Sequence, residues 1–223
     1  MAEFLPAYTK TNATEGGYAN NPADAGGETY KGIARKMHPK WPGWKYVDGV
    51  KALATAQPAY GTGSYYSWAK YLNGKLTALP QLQAAVSSFY KTNFWDANRL
   101  GEITSQDVSE WVYDHAVNAG ARGVMWIQLA ATVKPDGELG RVSIAAINAA
   151  DPVELLNRAE DIAGAYRLDR AAAKPSQIQF LTSWLDRDGQ PASIIAMVKK
   201  AASDGLLDAT EVATLKTAMA AIS

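Results

Sequence analysis

Apolar side chains recur every three or four residues through most of this chain. Residues 78–96 show the pattern clearly, with apolar or aromatic side chains at Leu79, Leu82, Val86, Phe89, Tyr90 and Phe94. Such spacing places these side chains on one face of an α-helix. The same pattern predicts further helices over residues 2–14, 47–57, 108–119, 123–133, 140–150, 152–173, 175–187, 192–203 and 209–222.

Capping residues mark several of the predicted helix ends. Asp151 and Glu154, with a proline between them, supply an N-cap and an acid in the first turn. Asp208 and Glu211 have the same relation at the start of the last predicted helix. Gly120 is the expected end of the helix that precedes it. These signals define a mainly helical C-terminal half.

The helical pattern is interrupted in the N-terminal third. Residues 15–33 hold five Gly, one Pro and two Asn, which favours turns and short strands over helix. Residues 38–44 and 58–67 are predicted to be loops because they are rich in Pro, Gly and Ser. The predicted fold class is therefore mainly α, a helical bundle with a small irregular or β segment near the N-terminus.

Composition excludes several classes of protein. The 223 residues include no Cys, so disulfides, cysteine-ligated zinc and a cysteine nucleophile are excluded. The 22 basic residues balance the 22 acidic ones, which gives no overall attraction to nucleic acid. The N-terminus lacks the pattern of a secretory signal, and no apolar run could span a bilayer. We expect synthesis in the cytoplasm, no membrane insertion and no nucleic-acid partner.

Glu15, Asp24 and Thr29 are the residues with the clearest chemical potential. Glu15 lies where the first predicted helix should end, and the negative end of a helix helps a carboxyl group keep its proton. A protonated carboxyl and a second carboxylate are the pair that glycosidic bond hydrolysis needs. Asp24 could supply the carboxylate, and the hydroxyl of Thr29 could help to hold a water molecule. The same residues also fit a purely structural hairpin with an Asx turn at Asp24.

The segments Glu15-Gly-Gly-Tyr18, Asp24-x-Gly-Gly-x-Thr29 and Gly32-Ile33 together resemble the signature of glycoside hydrolase family 108. This family contains lysozyme-like N-acetylmuramidases of phage endolysins and of bacterial proteins linked to secretion or lysis. The order Glu, Asp, Thr also resembles the catalytic triad of T-even phage lysozymes. The resemblance implies an α+β, lysozyme-like fold, with Glu15 as general acid. Tyr30 and Lys31 depart from the usual family pattern.

The resemblance extends further along the chain. The segment Phe89-Tyr-Lys-Thr-Asn-Phe-Trp-Asp96 is similar to the end of the family's catalytic region. The segment from Tyr113 to Gly120 resembles a peptidoglycan-binding region that usually follows. This implies a catalytic region over residues 1–100 and a helical peptidoglycan-binding region over 101–187. Residues 190–223 match no family pattern, and the helical periodicity there predicts a C-terminal helical extension over 188–223.

Several further residues are candidates for contact with a glycan. Tyr and Trp offer an apolar face with a polar edge, which suits sugar binding. The candidate substrate-binding residues are Tyr18, Tyr30, Trp95, Asp114 and Asn118, with Trp41 and Trp44 as further stacking candidates. Core packing is the alternative for each ring, and a structural hydrogen bond is the alternative for the Asp114–Asn118 pair. His115 is expected in the core.

The implied function is hydrolysis of the β-1,4 bond from N-acetylmuramic acid to N-acetylglucosamine in peptidoglycan. Two alternatives remain open: a lytic transglycosylase acting on the same bond, and a non-catalytic cell-wall-binding or secretion-associated protein. We expect no cofactor and no metal, since the Asp186-x-Asp188 segment lacks the other ligands of a calcium loop. We expect a monomer whose partner is the glycan strand, and which reaches the wall through a holin, a secretion system or lysis.

Overall fold

The computed structural model describes residues 1–12, 16–24 and 26–221. Within these residues the chain forms eleven α-helices and one three-stranded antiparallel sheet near the N-terminus. The mainly α prediction with a small N-terminal β segment is confirmed. The chain divides into two compact units, one formed by Phe4–Ala97 and the other by Met1–Glu3 with Asn98–Ser223.

The N-terminal unit (Phe4–Ala97) combines the sheet with four α-helices. The strands are β1 (Tyr18–Asn20), β2 (Glu28–Tyr30) and β3 (Ile33–Ala34), in that spatial order. The helices are α1 (Phe4–Asn12), α2 (Trp44–Leu53), α3 (Gly63–Thr77) and α4 (Pro80–Tyr90), and α4 continues as a π-helical segment over Lys91–Asp96. Lys31 and Gly32, between β2 and β3, both have positive φ, as a type I′ hairpin turn requires.

Helix α3 corrects the predicted loop over residues 58–67, because the helix begins at Gly63. The Thr62 side chain accepts a hydrogen bond from the Tyr65 amide and caps the helix. Trp68, Leu72 and Leu76 then follow at helical spacing on the buried face. The Gly, Ser and Tyr residues of the first turn concealed this periodicity in the sequence.

The C-terminal unit is built around one long helix. The α-helices of this unit are α5 (Gln106–Ala119), α6 (Ala121–Ala130), α7 (Arg141–Ala149), α8 (Pro152–Ala173), α9 (Ile178–Arg187), α10 (Ala192–Ala201) and α11 (Ala209–Ala220). Short 3₁₀ segments cover Leu100–Glu102, Pro175–Gln177 and Ala202–Asp204. Helix α8 packs against α5, α6, α7, α9 and α11. A Cβ on Gly164 of α8 would lie 2.2 Å from Met219 Cε of α11, so these helices approach closely.

A buried polar cluster joins three elements of the C-terminal unit. Asp188, at the end of α9, has no exposed surface and accepts hydrogen bonds from Arg167 Nε (3.1 Å) and Nη2 (3.3 Å). His115 Nε2 lies 3.1 Å from the same carboxylate, and its Nδ1 lies 2.8 Å from the Trp111 carbonyl. The core position predicted for His115 is confirmed, with 1% of its surface exposed.

Glu160 lies beside this cluster, and the pKa of its carboxyl is above the usual value. Burial raises the pKa of its carboxyl to about 6 against the attraction of His115, while Asp161 and Asp188 raise it further. A pKa that is higher in the folded state means that ionisation opposes folding. The contribution of Glu160 to stability is therefore fully present below about pH 4.5, and is lost as the pH rises through about 6.

Glu160→Gln is expected to stabilise the protein at neutral pH only. The amide mimics the neutral carboxyl, so the free energy of unfolding should rise by about 1 kcal/mol near pH 7.5, a value reduced for the partial exposure of the side chain. Near pH 4 the variant and the wild type should unfold alike. Urea titrations at both pH values measure the difference. If the variant and the wild type differed equally in unfolding free energy at both pH values, the raised pKa of Glu160 would be contradicted.

Candidate active site

The segment after Glu15 is anchored to helix α3 by one asparagine. The Tyr18 amide donates to Asn73 Oδ1 over 2.6 Å. A Cβ on Gly17 would lie 2.2 Å from the same oxygen, so only glycine fits this approach. Asn73 therefore fixes the entry to β1 and explains the second glycine of the Glu-Gly-Gly-Tyr motif. Nothing in the local sequence pattern identified Asn73.

Glu15, the predicted general acid, lies outside the described residues. The described part of helix α1, which was predicted to lead to Glu15, covers Phe4–Asn12. The described part of the site therefore consists of Asp24, Thr29 and the strands around them.

Asp24 lies in an ordered turn between β1 and β2. Its amide donates to the Asn21 carbonyl, and its own carbonyl accepts from the Gly27 amide, both at 3.0 Å. The Asp24 carboxylate accepts from the Gly26 amide at 2.8 Å, which is the Asx-type contact that the sequence allowed. Asp24 is exposed, so the carboxylate is held in place while it faces solvent.

Asp24 and Thr29 converge on the same glycine. A Cβ placed on Gly26 would lie 3.4 Å from Asp24 Oδ1 and 4.0 Å from Thr29 Oγ1. The Thr29 hydroxyl donates to the Gly27 carbonyl at 3.2 Å, which fixes its rotamer. A side chain at position 26 would also meet the Ala34 Cβ at 3.0 Å, so glycine keeps the space beside Asp24 and Thr29 open.

Ion pairs engage the other described carboxylates of the N-terminal unit. Glu28 accepts from Lys51, Arg35 and Tyr18. Asp48 pairs with Arg35 and Asp96 with Lys91. Among the described carboxylates of this unit, Asp24 is the one that forms no ion pair with a basic side chain. The three donors occupy the carboxylate oxygens of Glu28, so Glu28 is not available to act on a substrate.

The aromatic residues predicted to contact substrate are mostly buried. Tyr18, Tyr30 and Trp95 expose 4%, 0% and 4% of their surface, and Trp41 and Trp44 are buried as well. Tyr30 accepts a hydrogen bond from Gln83 Nε2, and Trp95 packs edge-on against Phe4. In this structure the rings stabilise the core, and they offer little surface for a sugar.

Asp114 and Asn118 form a local pair on helix α5. Asn118 Nδ2 donates to the Asp114 carbonyl at 2.8 Å. Arg187 Nη1 lies 3.0 Å from Asp114 Oδ1, so a cation from α9 neutralises this carboxylate. The geometry fits the structural alternative, and a role for this pair in wall binding stays a prediction.

A groove that the sequence did not reveal lies along the outer edge of the sheet. It has a volume of about 430 Å³ and lies between β1 and α3. Tyr60, Tyr65, Tyr66 and Lys70 line it beside Asn73. We call it the tyrosine groove. Three of its tyrosines, Tyr60, Tyr65 and Tyr66, fall in the stretch predicted to be a loop, where no helical face was recognised.

The described residues lack two kinds of feature. No described helix is long and apolar enough to cross a membrane. No group of three or more His, Asp or Glu side chains in the same residues is arranged to hold a metal ion.

Comparison with known proteins places these features in context. The family model described as Glycosyl hydrolase 108 matches residues 8–120. No curated protein matches the chain. Among solved structures, Brucella abortus SagA is similar in fold, with a TM-score of 0.51 and 21% sequence identity, over 93% of this chain and 97% of that one.

Proposed function

Since this chain belongs to the glycosyl hydrolase 108 family, we propose that it is an N-acetylmuramidase acting on peptidoglycan. The bond it cleaves joins N-acetylmuramic acid to N-acetylglucosamine. Glu15 protonates the leaving oxygen, Asp24 positions and activates water, and Thr29 helps to hold that water. The chain works as a monomer, without a cofactor, on glycan strands of the cell wall.

The convergence of Asp24 and Thr29 on Gly26 supports this assignment most strongly. Hydrolysis needs a water molecule held next to a carboxylate on the face of the sugar away from the leaving group, or a carboxylate nucleophile in its place. Asp24 Oδ1 and Thr29 Oγ1 both lie within 4.0 Å of one point above a residue that has no side chain. A transglycosylase needs no attacking water, so the products of cleavage distinguish the two reactions.

The environment of Asp24 suits a base more than an acid. Its carboxylate is exposed to solvent, where a water molecule can reach it, and a hydrogen bond from the Gly26 amide holds it in place. The family pattern leaves the acid role to Glu15. The two carboxyl groups therefore have different tasks, as in other glycosidases.

Asp24→Asn is expected to lower the rate of peptidoglycan cleavage by roughly 100-fold or more, because an amide cannot accept the proton of the attacking water. The clearing of a suspension of purified sacculi measures this rate. Asp96→Asn is the matched control, because Asp96 forms a half-exposed ion pair with Lys91. Full activity of Asp24→Asn would remove Asp24 from the mechanism.

The C-terminal unit is proposed to help in binding the wall, in accordance with the resemblance over residues 101–187. We place no sugar-contacting role on the Asp114 carboxylate itself, because Arg187 already neutralises it. Sedimentation of the full chain with sacculi measures wall binding. A chain that stays in the supernatant would contradict this part of the proposal.

A further inference from the structure

We propose that the tyrosine groove binds an N-acetylated sugar whose substituent carries a carboxylate, with the ring against Tyr66 and Tyr60 and the carboxylate at Lys70. This inference rests on the proposed function, since it names the part of peptidoglycan that the N-terminal unit recognises beyond the cleaved bond. The groove is lined by Tyr18 and Ala19 of strand β1, whereas the Asp24–Thr29 turn comes after that strand.

The groove has exposed aromatic walls on a rigid floor. Tyr66 exposes 59% of its surface and Tyr60 exposes 40%, while Tyr65 between them is buried. The Tyr65 ring lies 4.8 Å from that of Tyr60 and 5.7 Å from that of Tyr66, tilted by 60° and 77°. Tyrosine rings presented in this way offer apolar faces and hydroxyl edges, which matches the alternating surface of a sugar.

The floor is held in place by the backbone of β1. The Asn20 amide donates to the Tyr65 hydroxyl at 2.9 Å, and the Tyr18 amide donates to Asn73. A groove fixed in advance binds its ligand with a smaller loss of conformational entropy. Its volume of about 430 Å³ falls within the usual range for small-molecule sites.

The same two hydrogen bonds exclude an extended peptide as a strand-pairing ligand. Ala19 lies opposite Thr29 in the β1–β2 ladder, so the amides of Tyr18 and Asn20 point away from β2. Side chains of α3 already occupy both amides. A peptide therefore cannot add to this edge by main-chain pairing, and side-chain recognition remains.

Lys70 gives the groove its charge preference. It lies one helical turn after Tyr66 on α3, so the ring and the ammonium share one face. Lys70 is exposed, and no described carboxylate pairs with it. The other lysine of this helix, Lys75, instead lies over the Tyr71 ring. A free cation beside exposed aromatic rings selects a sugar that carries an anion, which peptidoglycan supplies through the carboxylates of the peptide stems attached to its muramic acid.

Binding to two soluble probes tests the proposal. A disaccharide–peptide muropeptide carries carboxylates, whereas an N-acetylchitotriose carries none. In the Asp24→Asn background, Lys70→Gln should weaken muropeptide binding about 5-fold and leave chitotriose binding unchanged. Tyr66→Ala should weaken both by about 5-fold or more. Lys75→Gln is the matched control and should change neither. Calorimetric titration of the full-length variants gives the dissociation constants.

The outcomes separate the groove from the catalytic proposal. Equal effects of Lys70→Gln and Lys75→Gln on muropeptide binding, or an equal loss of both probes in Lys70→Gln, would overturn the carboxylate preference. Unchanged binding in Tyr66→Ala would overturn the groove as a sugar site. Because turnover is not measured, muropeptide binding that depends on Lys70 would support the groove even if the wild type failed to cleave sacculi.

Discussion

Glu15→Gln is expected to reduce peptidoglycan cleavage by roughly 100- to 10,000-fold. The sugar oxygen that departs is a poor leaving group until it is protonated, and an amide has no acidic proton to give. The sequence predicts that Glu15 lies near the C-terminal end of the first helix. The negative end of a helix keeps a nearby carboxyl protonated to higher pH, which suits an acid. The rate of clearing of purified sacculi measures the loss.

Two controls make the result for Glu15 specific. Glu154→Gln makes the same chemical change at an exposed position on α8, with 74% of the side chain accessible, and should keep wild-type activity. Thermal unfolding of Glu15→Gln should match that of the wild type, which shows that the loss is chemical. If Glu15→Gln clears sacculi at the wild-type rate, Glu15 is not the acid.

Asp188→Ala is expected to cost about 3–5 kcal/mol of unfolding free energy, the largest stability effect in this account. The substitution leaves the Arg167 guanidinium, with 7% of its surface exposed, and the buried His115 without their shared carboxylate. An uncompensated buried charge is far more costly than a lost surface pair. Urea unfolding monitored by tryptophan fluorescence measures the change.

Asp186→Ala is the matched control for this position. Asp186 lies two residues earlier on α9 and is exposed, so its removal should change stability by less than about 0.5 kcal/mol. Asp188→Asn should fall between the two, because the amide retains the shape but not the charge. A cost below about 1 kcal/mol for Asp188→Ala would show that the cluster contributes little.

Local signals made much of the helical fold predictable. Asp151 accepts from the amides of Val153 and Glu154 at the start of α8, as its position before a proline predicted. Asp208 and Glu211 form a full capping box on α11. Gly120 ends α5 with a positive φ. Each of these depends on neighbours within three or four residues, which sequence spacing records directly.

Long-range partners were not predictable in the same way. His115 and Asp188 are 73 residues apart, and nothing in the sequence indicated that Asp188 pairs with His115 and Arg167. Residue type left sugar contact and core packing both open for Tyr30 and Trp95, and only the fold shows that both rings are buried. Tyr66 was missed because the first turn of α3 has the composition of a loop.

The candidate site was predictable in part. The sequence allowed an Asx turn at Asp24 within a glycine-rich hairpin, and the contact between the Asp24 carboxylate and the Gly26 amide agrees with it. The dependence of Gly17 on Asn73 needed the fold, since the two are on different elements. The catalytic roles of Glu15, Asp24 and Thr29 stay predictions, as does the three-part division of the chain.

Mass spectrometry of the fragments that the wild type and Glu15→Gln release from purified sacculi is the most direct test of the central claim. The account predicts wild-type fragments that end in a reducing N-acetylmuramic acid, each heavier by one water molecule per cut, and almost none from Glu15→Gln. Anhydro-sugar ends would indicate a transglycosylase, and the absence of glycan cleavage by the wild type would contradict the account altogether.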